Sequence, residues 1–274
     1  MPVPAQRPAP PASLVDALRP LLVDPRRSAV LLDVDGTLAP IVRHTEDAHV
    51  PESTRAPLIE VVKRYGVVAC VSGRQAATAR RIVSLGTIAY VGNHGSELLR
   101  PGAREPEVEV EGAAYGQRVQ AFARAACTDE LRRLRVRTED KDVIAAFHWR
   151  GAPDEAAAEA AVREVAQDAE AHGFATHWGR KVLEVRPPVP MDKGRGIQRL
   201  LREEDLDAAV YVGDDRTDLD AFRGLREEVA AGRLQAAVCV AVRSDETPEP
   251  LEAAADLLVD GPRGVRELLQ ALLS

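Results

Sequence analysis

Apolar positions fall into short unbroken runs in two parts of the chain and into mixed, periodic patterns between them. Leu31–Leu32, Val67–Val71 and Ala209–Val212 are compact apolar runs with many β-branched residues, bounded by glycines and charged residues. Runs of that length and content predict strands buried on both faces, the habit of parallel sheets covered by helices. Helices are expected over Leu14–Leu22 and from Met191-Asp192-Lys193-Gly194 through about Arg202. Residues 73–192 are too many for one sheet crossover and too patterned for a loop. Their periodicity predicts strand Val108–Glu111, helix Tyr115–Arg133, strands Arg135–Thr138 and Val143–Trp149, helix Asp154–His172, and strands Phe174–His177 and Val182–Arg186. Two helices over a mostly antiparallel sheet form a second layer system inside an α/β chain.

Each compact apolar run delivers a polar cluster at its C-terminal end. After Leu32 come Asp33-Val34-Asp35-Gly36-Thr37. Side chains two apart on a strand share a face, so the carboxylates of Asp33 and Asp35 enter one small space, where Gly36 lets the chain turn. Two like charges at close range each hinder the other's ionisation, and a cation or shared proton relieves them. With a divalent cation present, one Asp can act as nucleophile while its neighbour moves a proton. A strand followed by a hydrophilic Asp-Gly turn is the plain alternative. Val71 is followed by Ser72-Gly73-Arg74, a hydroxyl and backbone N–H groups ahead of a helix, suited to a phosphate oxygen. Lys193 near a helix start can serve as a fixed cation. Val212 leads into Gly213-Asp214-Asp215-Arg216-Thr217-Asp218, whose three carboxylates look like ligands for a hard cation, most simply Mg²⁺, or like an ordinary capped helix start. Taken singly these are weak signals. Taken in order, at the carboxyl ends of strands in an open α/β sheet, they converge on one crevice.

These four segments resemble the motifs of the haloacid dehalogenase superfamily. The resemblance implies a Rossmann-like parallel-sheet core, residues 13–100 and 188–274, with a smaller α+β cap domain, 101–187, inserted. It implies Asp33 as the nucleophile that becomes an aspartyl phosphate and Asp35 as the acid/base. Thr37 and Ser72 would hold the phosphoryl group, and Lys193 would neutralise it. Asp33, the backbone carbonyl of Asp35, and Asp214 would bind Mg²⁺, while Asp215 or Asp218 would act through water or orient Lys193. A cap in the later gap is the placement found in sugar phosphatases of the superfamily. The segments Val91-Gly92-Asn93-His94-Gly95-Ser96-Glu97, Trp178 to Pro187, and Gly213 to Phe222 further resemble the trehalose-6-phosphate phosphatase family. By that similarity Gly73, Arg74, Asn93 and His94 face the phosphosugar from the core, and Arg180, Lys181 and Glu184 from the cap. The family often carries Glu where this chain has Leu219 and Lys where it has Arg180. The implied activity is Mg²⁺-dependent hydrolysis of trehalose 6-phosphate. Other sugar phosphates (sucrose phosphate, a glycosyl phosphoglycerate, a pseudo-disaccharide phosphate) and a non-catalytic phosphosugar-binding regulator are the rivals.

Composition removes some classes. The chain has 274 residues, 45% hydrophobic and 29% charged, ordinary for a globular protein and long enough for two domains. Its net charge of −7 and lack of a basic stripe argue against nucleic acid as partner. No run is long and apolar enough to predict a membrane span. The resemblance implies a small-molecule sugar phosphate as partner, and a monomer is the expected state. Cys70, Cys127 and Cys239 form no metal spacing and no even disulfide framework, which suits a reducing cytoplasm. The proline-rich segment 1–12 reads as a disordered leader.

Overall fold

The structure is a computed structural model that describes residues 13–42, 47–109, 113–179 and 181–274. The chain divides into two compact units, one running to Glu107 and resuming at Asp192–Ser274, the other Val108–Met191.

The first unit is built on strands β1 (Ser28–Leu32), β2 (Val67–Val71), β3 (Ala89–Gly92), β4 (Glu97–Leu99) and β5 (Glu107–Val108), with β10 (Ala208–Gly213), β11 (Ala236–Arg243) and β12 (Leu257–Asp260) from the C-terminal part. They form one sheet in the order β12-β11-β10-β1-β2-β3-β4-β5. The pairs from β12 to β3 are parallel, and β3 pairs antiparallel with β4. Every residue of β1, β2 and β10 is buried. Alternation explains how such runs serve two cores. Val30 and Leu32 pack with helices Leu14–Val23, Glu52–Arg64, Ala76–Val83 and Gly261–Ala271 on one face. Ala29, Leu31 and Tyr211 pack with helices Lys193–Leu201, Asp218–Ala230 and Glu249–Ala254 on the other. The parallel arrangement brings the C-terminal ends of β1, β2, β3 and β10 to one edge.

The second unit is an antiparallel sheet of β6 (Arg137–Lys141), β7 (Ile144–His148), β8 (Ala175–Gly179) and β9 (Val182–Arg186), ordered β6-β7-β9-β8. Phe147, Trp149, Leu183 and Val185 on one face pack against Val119, Phe122, Leu131, Val162 and Ala166 from the helices.

Three expectations are corrected here. The helix expected over Tyr115–Arg133 is two, Gly116–Ala126 and Asp129–Arg133. Thr128 starts the second by accepting the Leu131 N–H at 3.4 Å, and side-chain capping of this kind competes with helix continuation. The strand expected at Arg135–Thr138 lies at Arg137–Lys141, because Arg135 takes a left-handed φ of 58° and Asp140 Oδ1 accepts the Asp142 N–H at 2.8 Å to turn the hairpin. The strand expected at Val108–Glu111 is a two-residue strand, Glu107–Val108, at the edge of the large sheet. The leader 1–12, positions 110–112 and Arg180 lie outside the described residues.

Candidate active site

Asp33 leaves the end of β1 with its N–H on the Val212 carbonyl at 2.8 Å, so the neighbouring strand fixes its backbone. Its side chain is buried, and Oδ1 accepts from Lys193 Nζ at 2.8 Å. Lys193 opens its helix just after Asp192, whose carboxylate caps the Arg195 N–H at 2.9 Å. An ammonium at the positive end of a helix is disfavoured. It is held there by carboxylates: Lys193 Nζ also donates to Asp218 Oδ1 at 2.6 Å. Asp218 is fully buried, and its remaining capacity goes to the Tyr211 hydroxyl at 2.6 Å on Oδ1 and the Asp215 N–H at 2.9 Å on Oδ2.

Asp214 stands at the end of β10, where the Thr37 hydroxyl donates to Oδ1 at 3.4 Å. Its other oxygen lies over Gly36, where a Cβ would come within 2.1 Å. The φ of Gly36 is +83°. Only glycine meets both demands, so this residue both turns the chain and makes room for Asp214. Gly213 makes room in the same way for Asp218, whose Cγ would lie 2.3 Å from an added Cβ.

Asp35 is held apart from this cluster by Arg74, with Nε on Oδ2 at 2.6 Å and Nη2 on Oδ1 at 2.7 Å. This is a two-point pair, which fixes the plane of the carboxylate as well as its position. Ser72 follows β2; its hydroxyl accepts the Arg74 N–H at 3.1 Å and its own N–H donates to the Val91 carbonyl at 2.9 Å. Asn93, His94 and Gly95 take consecutive positive φ values of 45°, 53° and 102°. That strained turn is tied to the loop after β2: the Asn93 N–H donates to the Arg74 carbonyl at 2.7 Å, the His94 N–H to the Ser72 carbonyl at 3.2 Å, and the His94 ring lies over Gly73. Buried Glu97 completes the bracket, accepting the Asn93 amide on Oε1 at 2.5 Å and the Ala76 N–H on Oε2 at 2.7 Å.

In the second unit Lys181 pairs with Glu155 at 2.5 Å. Glu184 is buried between two cations, Lys141 Nζ at 2.8 Å on Oε1 and Arg186 Nη2 at 2.5 Å on Oε2.

Charge balance shows what the core cluster lacks. One oxygen from each of Asp33, Asp214 and Asp218 lies within 4.8 Å of the others. Burial pushes the Asp33 carboxyl well above its usual range, Lys193 opposing and Asp218 and Asp214 adding to the rise. Burial, with the charges of Asp218 and Asp215, pushes Asp214 up to about 7. For Lys193 burial disfavours the charged form, but the carboxylates of Asp218 and Asp33 outweigh it and its value is raised well above the ordinary one. Three buried carboxylates facing one buried ammonium fit a divalent cation, and all-oxygen donors fit a hard one such as Mg²⁺. Asp218 spends both oxygens on fixed donors, whereas Asp33 Oδ2 and Asp214 Oδ2 accept no hydrogen bond from the described residues. The latter two are the better ligands. Asp215 is exposed and accepts from the Thr217 N–H and hydroxyl at 2.7 and 2.6 Å.

Asp33, Asp35, Thr37, Ser72, Gly73, Arg74, Asn93, His94, Lys193, Asp214, Asp215 and Asp218 thus all belong to the first unit, Lys181 and Glu184 to the second. Sequence reasoning gave no role to Glu97, Tyr211, Lys141 or Arg186. The one available signal was Tyr211, a tyrosine in an otherwise aliphatic buried strand, whose hydroxyl requires a partner.

A solved haloacid dehalogenase-like hydrolase from Bacteroides thetaiotaomicron has a similar fold, with a TM-score of 0.62 at 16% identity, covering 89% of this chain and 98% of that one. Residues 31–255 match the family model described as trehalose-phosphatase, and the chain belongs to that family. A trehalose-phosphate phosphatase of Mycobacterium marinum is 35% identical over 204 residues, 72% of this chain and 51% of that protein. An uncharacterized glycosyl hydrolase of Mycobacterium tuberculosis is 35% identical over 215 residues, 75% of this chain but 16% of its own length. The chain therefore spans about half of one relative and a small part of the other. The solved C-terminal domain of a trehalose-6-phosphate phosphatase from C. albicans has the same fold, with a TM-score of 0.74 at 22% identity, covering 96% of this chain and 98% of that one.

Among the described residues no helix is long and apolar enough to cross a membrane.

Proposed function

We propose that this chain is a Mg²⁺-dependent phosphatase that hydrolyses trehalose 6-phosphate through a phosphorylated Asp33. The observation that carries the reading is the buried Asp33–Lys193–Asp218 chain beside Asp214, in a member of the trehalose-phosphatase family. Phosphoryl transfer is chiefly a matter of positioning and charge neutralisation, and this set of groups is suited to both.

Asp33 is the attacking carboxylate, oriented by the Lys193 ammonium on Oδ1. In the first half-reaction Asp33 bonds to phosphorus, the bond from phosphorus to the sugar oxygen breaks, and protonated Asp35 gives its proton to that oxygen. Arg74 then stabilises the carboxylate so produced and keeps it in place. In the second half-reaction Asp35 takes a proton from water, the water oxygen bonds to phosphorus, and the bond to Asp33 breaks, releasing phosphate. Lys193 opposes protonation of Asp33 between turnovers, and Thr37 and Ser72 donate to the phosphoryl oxygens. Asp33, Asp214 and the Asp35 backbone carbonyl would hold Mg²⁺, which when bound supplies positive charge against the phosphoryl oxygens. Sugar preference is assigned to the second unit, as a cap, with Lys181 and Glu184 as its reading residues. The three free cysteines, Cys70 and Cys239 among them buried, accord with a cytoplasmic setting.

The test is phosphate release from trehalose 6-phosphate, sucrose 6-phosphate and glucose 6-phosphate with and without Mg²⁺, using Asp33→Asn as blank. Selective Mg²⁺-dependent release from trehalose 6-phosphate, lost in the variant, is expected. Preference for another sugar phosphate would remove the substrate assignment, and release undiminished in Asp33→Asn would remove the mechanism.

A further inference from the structure

Lys193 is held by Asp218, and what holds Asp218 is a separate question. Its carboxylate is fully buried and is met by three donors of the protein. The Asp215 N–H fixes Oδ2 at 2.9 Å, and Oδ1 is shared at 2.6 Å each by the Lys193 ammonium and the Tyr211 hydroxyl. Tyr211 is itself fully buried in the middle of β10, two residues before the glycine that makes room for Asp218. Its backbone is fixed on both sides by register with Leu31 and Cys239, and its ring packs edge-to-face on Phe222 at 6.0 Å. A hydroxyl set in a strand this constrained has one direction in which to donate, and that direction is Oδ1.

We propose that Tyr211 is a positioning residue for the reaction: its hydroxyl fixes the Asp218 carboxylate that aims the Lys193 ammonium at Asp33. Without that donor, Asp218 Oδ1 keeps only the mobile Lys193 ammonium as partner, and the carboxylate, still anchored at Oδ2 by the Asp215 N–H, can turn about that anchor and draw the ammonium off the attacking group. A misplacement of this size near reacting atoms lowers turnover more than it lowers substrate binding. The role also explains an aromatic residue in a strand that otherwise reads Ala-Ala-Val-Val-Gly around it. An aliphatic residue would fill the core, but it would bring no donor.

The inference rests on the reading of Asp33 as nucleophile and of Lys193 as its neutralising partner. Tyr211→Phe in the full chain keeps the ring and its contact with Phe222 and removes only the hydroxyl. The expected result is a fall in kcat for phosphate release of about tenfold with KM changed less than about twofold, the scale of one lost hydrogen bond to a charged group acting through a neighbour. In an Asp218→Asn background the same substitution should add no further loss, since the two residues act in series. Val238→Ala, in the core on the other face of the sheet, is the control for packing: it should lower the melting temperature while leaving kcat unchanged.

A second readout needs neither substrate nor metal. In the metal-free protein the buried Lys193 ammonium should give a slowly exchanging ¹⁵N signal, identified by its loss in Lys193→Met, and that signal should shift or broaden in Tyr211→Phe. An unchanged kcat in Tyr211→Phe, an equal kcat loss in Val238→Ala, or an unmoved Lys193 signal would overturn the proposal. If the wild type releases no phosphate from trehalose 6-phosphate, the functional reading fails, and the Lys193 signal still decides the role of Tyr211.

Discussion

Lys193→Met tests the electrostatic account of the core cluster in the metal-free protein. Lys193 is 2% exposed, and its ammonium donates to two buried carboxylates, at 2.8 Å to Asp33 and 2.6 Å to Asp218. Methionine nearly matches its volume, so the change removes charge rather than packing. Removing one partner of a buried ion pair costs about 3–5 kcal/mol, because the charge left behind is uncompensated. For a chain of this size that is about 6–20 °C in melting temperature. The sign of its pH dependence follows from Asp33. Its folded-state carboxyl value is already raised, by burial first, with Lys193 opposing. Without Lys193 it rises further, while the unfolded value stays near about 3.9. A carboxyl with a raised folded value costs nothing below the unfolded value, and its penalty grows with pH up to the folded one. Lys193's own value is raised, so it stays charged across this range, and what changes with pH is the ionisation of the carboxylates it faces. The melting gap between wild type and variant should therefore be small near about pH 4 and wide near about pH 8. Melts followed by circular dichroism in EDTA would measure it. A variant within about 2 °C of wild type at the higher pH, or a gap that widens on acidification, would refute the reasoning.

Four further outcomes are expected. Gly36→Ala should lose about 1–3 kcal/mol for a forced left-handed alanine, and Mg²⁺ binding by calorimetry should weaken, since the new Cβ meets Asp214 Oδ2; unchanged Mg²⁺ affinity would count against Asp214 as ligand. Chelation with EDTA should abolish phosphate release and added Mg²⁺ restore it, and turnover that persists in EDTA would remove the metal from the mechanism. Glu184→Gln should destabilise the protein by about 3 kcal/mol in urea unfolding, because Lys141 and Arg186 lose their common counter-charge, and a neutral result would mean that these cations are solvated. Thr128→Ala should cost about 1 kcal/mol without altering phosphate release; no loss would show that the helix Asp129–Arg133 is held by packing alone.

Which features were legible in the sequence follows from how local their physics is. Strands β1, β2 and β10 announced themselves because burial on both faces forces unbroken apolar runs, and the polar residues at their ends could only be at the sheet's carboxyl edge. The second unit was harder for the opposite reason. Strand β6 reads Arg-Thr-Glu-Asp-Lys and is exposed except at Lys141, so it carries almost no hydrophobic period, and only the Asp140 and Asp142 turn geometry marks where it ends. The break at Cys127–Thr128 was hidden because a threonine inside an amphipathic pattern is compatible with a continuous helix until its hydroxyl is seen to cap a new one.

The partners of the site were hidden for a third reason, sequence distance. Arg74 reaches Asp35, Glu97 joins Ala76 to Asn93, and Lys193 joins Asp33 to Asp218, and each contact closes a loop whose length the sequence does not weight. Motif residues are recognisable because the reaction dictates their type. Glu97 and Tyr211 are dictated only by the need to satisfy other buried polar groups, a demand visible once the fold has put those groups out of water. For Asp218 that demand has a specific form: a fully buried carboxylate must be met from every side, and the Asp215 N–H and Lys193 leave one approach on Oδ1 to be filled. Burial leaves that approach out of reach of bulk solvent, and the Tyr211 hydroxyl of β10 fills it.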